Sequence, residues 1–235
     1  HCKLLFETGN LNYASPATVS RCGIVFVDPK NLGWEPYTWR WLNEREDQAQ
    51  ADVLRTLIKK YAAKCLAYVV EGQLPSGEYF PKPAQIVQSP DLALIFQLCS
   101  MLDAHVTQEK DIQDHNVLEC YVVFCIMWSI GATLLEGAPR IGFDKFVKEI
   151  SGLPVSTSKS VGAGSLPGAL PTLFDFYFSN DNRWVPWSDD VTEYESVPGT
   201  PFANIIVPTV DVVTYTYHLH WNLAVFKPTL YSGDV

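Results

Sequence analysis

The side chain with the clearest chemical use is Arg21. It closes the run Ser15-Pro16-Ala17-Thr18-Val19-Ser20-Arg21-Cys22-Gly23, which lies between two apolar runs, Lys3-Leu4-Leu5-Phe6-Glu7 and Gly23-Ile24-Val25-Phe26-Val27. Ser15 is suited to cap a short helix and Pro16 to fill its first position, where a missing N–H is no loss. Arg21 then stands at the end of that helix, just ahead of the next apolar run. A guanidinium is a permanent planar cation whose fork matches phosphate oxygens. In a ring of ATPase modules, an arginine so placed can reach the neighbour's nucleotide and stabilise the charge that grows during hydrolysis.

Other stretches invite chemistry and fail on spacing. His218-Leu219-His220 puts its two imidazoles on different faces of a helix, and no Cys or carboxylate set completes a metal site, so no metal is expected. Residues 151–171 are rich in Gly, Ser and Pro, but a phosphate cradle needs GxxxxGK[ST] directly after a strand, which is absent. A flexible connector is expected there. The six cysteines, Cys2, Cys22, Cys65, Cys99, Cys120 and Cys125, form no CxxC pair and mostly fall in apolar helical patterns. They read as buried, reduced thiols of a cytosolic protein.

The chain is 235 residues long and 47% hydrophobic, enough for the core of one large domain or two small ones. Its net charge of -9 argues against non-specific nucleic-acid binding, which rests on basic contacts to phosphate. The uncharged run Cys120 to Leu135, closed by Glu119 and Glu136, is shorter than the about 20 residues a membrane span needs. It is expected to be a buried core helix, with no membrane partner. His1-Cys2-Lys3 opens straight into a strand-like run without a signal peptide or initiator methionine, so a fragment is expected.

The elements that must position Arg21 are two strands, 3–8 and 23–28, flanking the 16–21 helix. They fit the buried edge of a parallel α/β sheet. Two strands do not make a stable sheet, so their partners are expected elsewhere, most simply upstream of His1. Aromatics Trp34, Tyr37, Trp39 and Trp41 read as packing, and 44–48 as a solvated face or loop. A helix over 51–71 follows from Val53, Leu54, Leu57, Ile58, Tyr61, Cys65, Leu66 and Val69, with Gly72 as its stop. Further helices are predicted over 89–102, 115–135 and 143–150, a hairpin over 174–187, and an exposed acidic stretch over 189–196. Val210, Val213, Tyr217 and Trp221 mark a last helix, followed by an apolar strand from Thr229.

Several blocks in this order carry a family resemblance: Leu4-Leu5-Phe6-Glu7, Ala14 through Gly23, Leu32-Gly33-Trp34, Trp128-Ser129-Ile130-Gly131-Ala132, Phe143-Asp144-Lys145-Phe146 and Val207-Pro208-Thr209-Val210-Asp211. Together they resemble the dynein heavy chains, in particular the second AAA+ module of the motor ring of the axonemal, outer-arm type. The resemblance implies α/β plus α architecture. Residues 1–31 would end a partial AAA+ (P-loop NTPase) large domain, 32–152 would be a helical lid, and 153–200 a connector with a hairpin. Residues 201–235 would begin the third module. It makes Arg21 an arginine finger acting in trans on the preceding module. It places the sensor 1 position at Glu7, with Asn10 as the alternative. Glutamate there departs from the usual asparagine and would repel phosphate unless a cation intervened; a residue bonding only its own turn would look the same. No Lys or Arg lies within 115–136 to act as sensor 2, and Arg140 follows the helix.

The same resemblance places Ile206, Val207 and Thr209 at the adenine pocket of the next module, though an ordinary strand-to-helix entry would share their sequence. Thr214 stands where the family often has arginine. The cofactors implied are ATP or ADP with Mg2+ in the intact ring, none held by this stretch alone, which has neither phosphate loop and is not expected to catalyse by itself. The partners implied are adjacent AAA+ modules, microtubules through the parent's coiled-coil stalk, and dynein intermediate and light chains. The location implied is the cytoplasmic cytoskeleton of cilia and flagella, where the motor drives beating. A stand-alone helical scaffold or interaction domain with no nucleotide role is the competing reading. No triad, metal cluster or complete phosphate loop supports an independent enzyme.

Overall fold

The computed structural model describes residues 4–106, 114–158, 160–194, 199, 201, 205 and 207–230. The chain divides into two compact units, His1–Gly33 and Trp34–Val235.

The first unit holds two short helices, α1 (Pro16–Arg21) and α2 (Pro29–Leu32). The buried strands expected over 3–8 and 23–28 are not formed: among the described residues, 4–8 and 23–28 make no ladder. Their side chains stand open, with Leu5 98% and Phe26 82% exposed. An extended run becomes a strand only when a neighbour completes its N–H and C=O bonds. Neither run pairs with the other.

The second unit is mostly helical: α3 (Glu35–Asn43), α4 (Gln48–Leu66), α5 (Asp91–His105), α6 (His115–Ser129), α7 (Ala138–Ser151) and α8 (Val210–Ala224). Asp47 caps α4 by accepting from the Gln50 N–H at 3.0 Å. Leu54, Leu57, Ile58, Tyr61 and Cys65 then bury one stripe of the helix. Beyond Leu66 the helix widens into a π turn, Ala67–Glu71, and ends at Gly72 in the left-handed region. A side chain at Gly72 would begin 2.6 Å from the Phe80 carbonyl, so glycine is required there. The Val69 carbonyl within the π turn accepts from Gln85 Nε2 at 3.3 Å.

Helix α6 is the centre of this unit. Every residue from Val117 to Met127 is buried, and it packs on both α4 and α5. The stretch His115–Thr133 is long and apolar enough to cross a membrane by composition, yet 78% of it is buried inside the protein. It gives way after Ser129 to a 3-10 turn, Gly131–Thr133, earlier than the predicted Leu135. Gly131 sits so close to Phe143 that an added Cβ would lie 2.6 Å from that ring. One carboxylate crosses this core: Glu119 accepts from Lys60 Nζ at 2.6 Å and from the Tyr61 hydroxyl. Lys60 Nζ also reaches the Ser151 carbonyl at 2.6 Å, tying α4, α6 and the end of α7 together.

Two expectations are corrected here. Arg45, read as part of a solvated face or loop, does lie in the loop between α3 and α4 but is buried; it bonds Gln50 Oε1 at 2.8 Å and the Val106 carbonyl at 2.7 Å, and pairs with Asp103 at 3.3 Å. Its fork can satisfy several acceptors at once, which is what allows a buried guanidinium. The flexibility expected of 151–171 is also absent from its described residues. Strands β1 (Val155–Ser156) and β3 (Leu166–Pro167) pair in parallel, and β2 (Val161–Gly162) joins β5 (Arg183–Pro186) and β4 (Phe176–Phe178) in the order β2-β5-β4. Val161 and Leu166 are buried, and the Trp184 indole donates to the Ser165 carbonyl at 3.1 Å. Small residues let this segment follow the core closely. The predicted hairpin forms as β4 and β5, with Asn182 at φ 58 in its turn.

Candidate functional site

Helix α1 is set by its own sequence. Ser15 is extended, and its hydroxyl accepts from the Thr18 N–H at 3.2 Å. Pro16 occupies the first turn, and the backbone turns extended again at Cys22. No residue of α1 is buried. Arg21 therefore ends a short capped helix in full solvent, at the terminus whose dipole favours a cation. Among the described residues it makes no ion pair, and Cys22 beside it is an exposed free thiol.

Glu7 and Asn10 lie in the same unit and differ in what they do. Asn10 organises the turn: its side-chain oxygen accepts from the Asn12 N–H at 3.2 Å, and its carbonyl accepts from the Thr8 hydroxyl at 2.8 Å. Glu7 is exposed and takes no part in those bonds, so the turn-bonding role considered for it belongs to Asn10. No hydrogen bond joins either residue to Arg21 among the described residues.

The third group lies in the other unit. Ile206 falls outside the described residues. Val207 is 48% exposed, leaving its apolar surface open. Thr209 is taken up in starting α8: its hydroxyl accepts from the Val212 N–H at 3.3 Å and its carbonyl from the Val213 N–H at 3.0 Å. Thr214 is buried and donates back to the Val210 carbonyl at 2.9 Å. That position brings no charge to the helix.

Arg140 sits on α7 and is committed locally. It donates to the carbonyls of Leu134 at 3.2 Å and Ala132 at 3.5 Å, pairs with Glu136 at 3.3 Å, and lies over the Phe174 ring. It closes the turn after α6.

The histidine pair separates as helix geometry requires. His220 is exposed, while His218 stacks on Phe124 and lies 4.4 Å from the Trp128 ring, centroid to centroid. Burial pushes the His218 imidazole down to about 3, so it is neutral at ordinary pH. Burial also pushes the Cys120 thiol up to about 11, and Cys65, Cys99 and Cys125 upward, leaving these thiols inert. The sequence weighed His218 only as a metal ligand. Its spacing from Thr214 and Tyr217 along the inward face of α8 was the available signal for a packed position.

Comparison with known proteins fits this architecture. The dynein heavy chain AAA lid domain family matches residues 54–189, which run from α4 through the small sheets. Human dynein axonemal heavy chain 10 is 43% identical over 237 residues, covering 100% of this chain and 5% of that protein. The Chlamydomonas reinhardtii dynein-1-alpha heavy chain of the flagellar inner arm I1 complex is 41% identical over 238 residues, again 100% and 5%. Pig dynein axonemal heavy chain 11 is 28% identical over 239 residues, 99% of this chain and 5% of that protein. The chain thus spans about one twentieth of the length of these curated relatives. With more than half of its residues matched by the lid domain and its helical core accounted for by that match, the chain belongs to the dynein heavy chain AAA lid domain family.

Proposed function

We propose that this chain is part of a dynein heavy-chain motor ring that drives ciliary or flagellar beating, and that Arg21 acts in trans on ATP held by the preceding module. In this reading the first unit closes the α/β domain of the second AAA+ module. The helical unit is that module's lid and relays its movement, and α8 begins the third module, with Ile206, Val207 and Thr209 towards its adenine. Glu7 or Asn10 occupies the sensor 1 position. ATP or ADP with Mg2+ belongs to the intact ring. Neighbouring modules, microtubules and the dynein intermediate and light chains are the partners. The relatives' names support an axonemal setting. The inner-arm name of the Chlamydomonas relative favours an inner arm over the outer arm suggested by sequence.

The observation that carries the reading is Arg21 itself: an exposed guanidinium at the end of a capped helix, flanked by two apolar runs whose described side chains are exposed. Arg140 fits a lid that holds nucleotide without turning it over, because its guanidinium is committed to the Leu134 and Ala132 carbonyls. The test is made in the full heavy chain. Arg21→Ala is expected to lower microtubule-stimulated ATP turnover by about 10³-fold, the scale of a lost arginine finger. Arg21→Lys should recover little of it, since a point charge lacks the planar fork. Undiminished turnover in Arg21→Ala would overturn the assignment.

A further inference from the structure

The acidic stretch that follows the hairpin lies in the helical unit and has no part in the arginine-finger reading. Strand β5 runs into the 3-10 turn Trp187–Asp190, and the chain continues through Val191-Thr192-Glu193-Tyr194 with neither helix nor ladder. Val191 is extended, at φ -74 and ψ 113. Asp189, Asp190, Thr192, Glu193 and Tyr194 are exposed, and Glu195 follows in the sequence. A protein kinase discriminates among acceptor hydroxyls by the charges around them, and a basic substrate groove selects carboxylates. Side chains alternate along an extended acceptor, so carboxylates one and three residues past the hydroxyl share one face.

The serines and threonines with a carboxylate three residues on are Ser100, Thr133, Thr172 and Thr192, followed by Asp103, Glu136, Asp175 and Glu195. The structure separates them. Ser100 is buried in α5 and donates to the Phe96 carbonyl at 2.9 Å. Thr133 is half-buried in the 3-10 turn after α6 and donates to the Ile130 carbonyl at 2.7 Å. Thr172 is buried in a capping box, with its hydroxyl on Asp175 at 2.9 Å. Bringing any of these three into a kinase cleft requires local unfolding first. Thr192 is exposed and outside any element, and its hydroxyl makes no hydrogen bond among the described residues. We infer that Thr192 is a phosphorylation site for a Ser/Thr kinase whose basic groove reads Glu193 and Glu195. Thr192 Oγ1 attacks the γ-phosphorus of ATP, the bond from that phosphorus to ADP breaks, and the hydroxyl proton passes to the kinase's catalytic carboxylate. The product adds up to about two negative charges beside Asp189, Asp190 and Glu193. Their repulsion loads the turn Trp187–Asp190, against which α8 packs with the Tyr217 ring 5.1 Å from that of Trp187.

The test incubates the full heavy chain with ATP and casein kinase 2, an acid-directed Ser/Thr kinase, and locates phosphate by quantitative peptide mass spectrometry. The peptide carrying Thr192 is expected to gain one phosphate, while those carrying Ser100, Thr133 and Thr172 stay unmodified. Thr192→Val should abolish the signal and Thr192→Ser should keep it. Glu195→Gln should slow the modification about tenfold, the worth of one charge-assisted contact. These are changes at exposed or terminal-loop positions of the stretch, so they test recognition and not folding. A heavy chain left unmodified at Thr192 would overturn the inference. So would phosphate placed on Ser188 or Tyr194 in its stead, or a rate at Thr192 that Glu195→Gln leaves unchanged.

Discussion

The two units contain equally apolar runs that meet opposite fates. Leu4-Leu5-Phe6 and Ile24-Val25-Phe26-Val27 are as apolar as Val122-Val123-Phe124-Cys125-Ile126, yet Phe6 is 80% exposed and Phe124 is 0% exposed. The difference lies in the backbone. A helix satisfies its own N–H and C=O groups, so α6 needs only side-chain neighbours, which α4 and α5 supply. A strand needs a main-chain partner on at least one edge as well as a covered face, and two short runs cannot provide both. Apolar sequence states a demand for burial, and topology decides whether the chain itself can meet it.

The same substitution in each unit tests this most severely. Phe143 is fully buried against Tyr68 and Phe146, whereas Phe26 is 82% exposed. Phe143→Ala is expected to cost about 4 kcal/mol and to lower the melting temperature by about 10 °C. Phe26→Ala should stay within about 0.5 kcal/mol in this chain, as a surface change does. Equal costs would break the contrast. Calorimetry of the same Phe26→Ala change in the full heavy chain sharpens it: a cost there near that of Phe143→Ala would mean that a partner strand covers the run.

Acid separates the units next, because the first contains no buried titratable group among its described residues while the second contains His218. Its imidazole falls from 6.5 to about 3 in the fold. Below pH 6.5 the unfolded chain therefore takes up a proton that the native state refuses. Stability is full above that pH and falls on acidification by up to about 1.4 kcal/mol per pH unit. Asp103 and Asp144 act with the opposite sign. Burial raises both, so the native state protonates first and recovers some stability as the pH falls through their range. Urea midpoints between pH 7 and pH 4 should show a steep acid limb that His218→Phe flattens and that Phe26→Ala, an uncharged change in the first unit, leaves unchanged. An identical limb in both variants would remove His218 as its source.

Where the sequence could be read, the signal was local. The Ser15-Pro16 cap, the stripe from Leu54 to Cys65 and the stop at Gly72 each depend on a few adjacent residues, and the structure has all three. Arg45 was misread because its solvation depends on Asp103, Gln50 and Val106, and the first and last of these are distant in sequence. Residues 151–171 were misread because glycine and serine mark freedom in isolation but close approach beside a core. The contact between the Trp128 and His218 rings had no sequence signature, since it arises only through the packing of α8 on the helical core. For Arg21 the sequence supplied its place at a helix end, while its exposure became legible only in the structure.

The smallest expected effect concerns helix caps, and it asks whether the units share one cooperative transition. Asp47 caps α4 in the second unit, and Ser15 caps α1 in the first, each by accepting a backbone N–H three residues on. Removing either side chain costs about 1 kcal/mol locally. The consequence should differ, because α4 is built into the core and α1 buries nothing. Asp47→Ala is expected to lower the melting temperature of the whole helical unit by about 3 °C. Ser15→Ala should leave that transition in place and show only as faster amide exchange at Thr18 and Val19, since fraying six residues opens no core. A melting shift shared by both variants would make α1 part of the helical unit's cooperative fold, and would break the contrast between the two units.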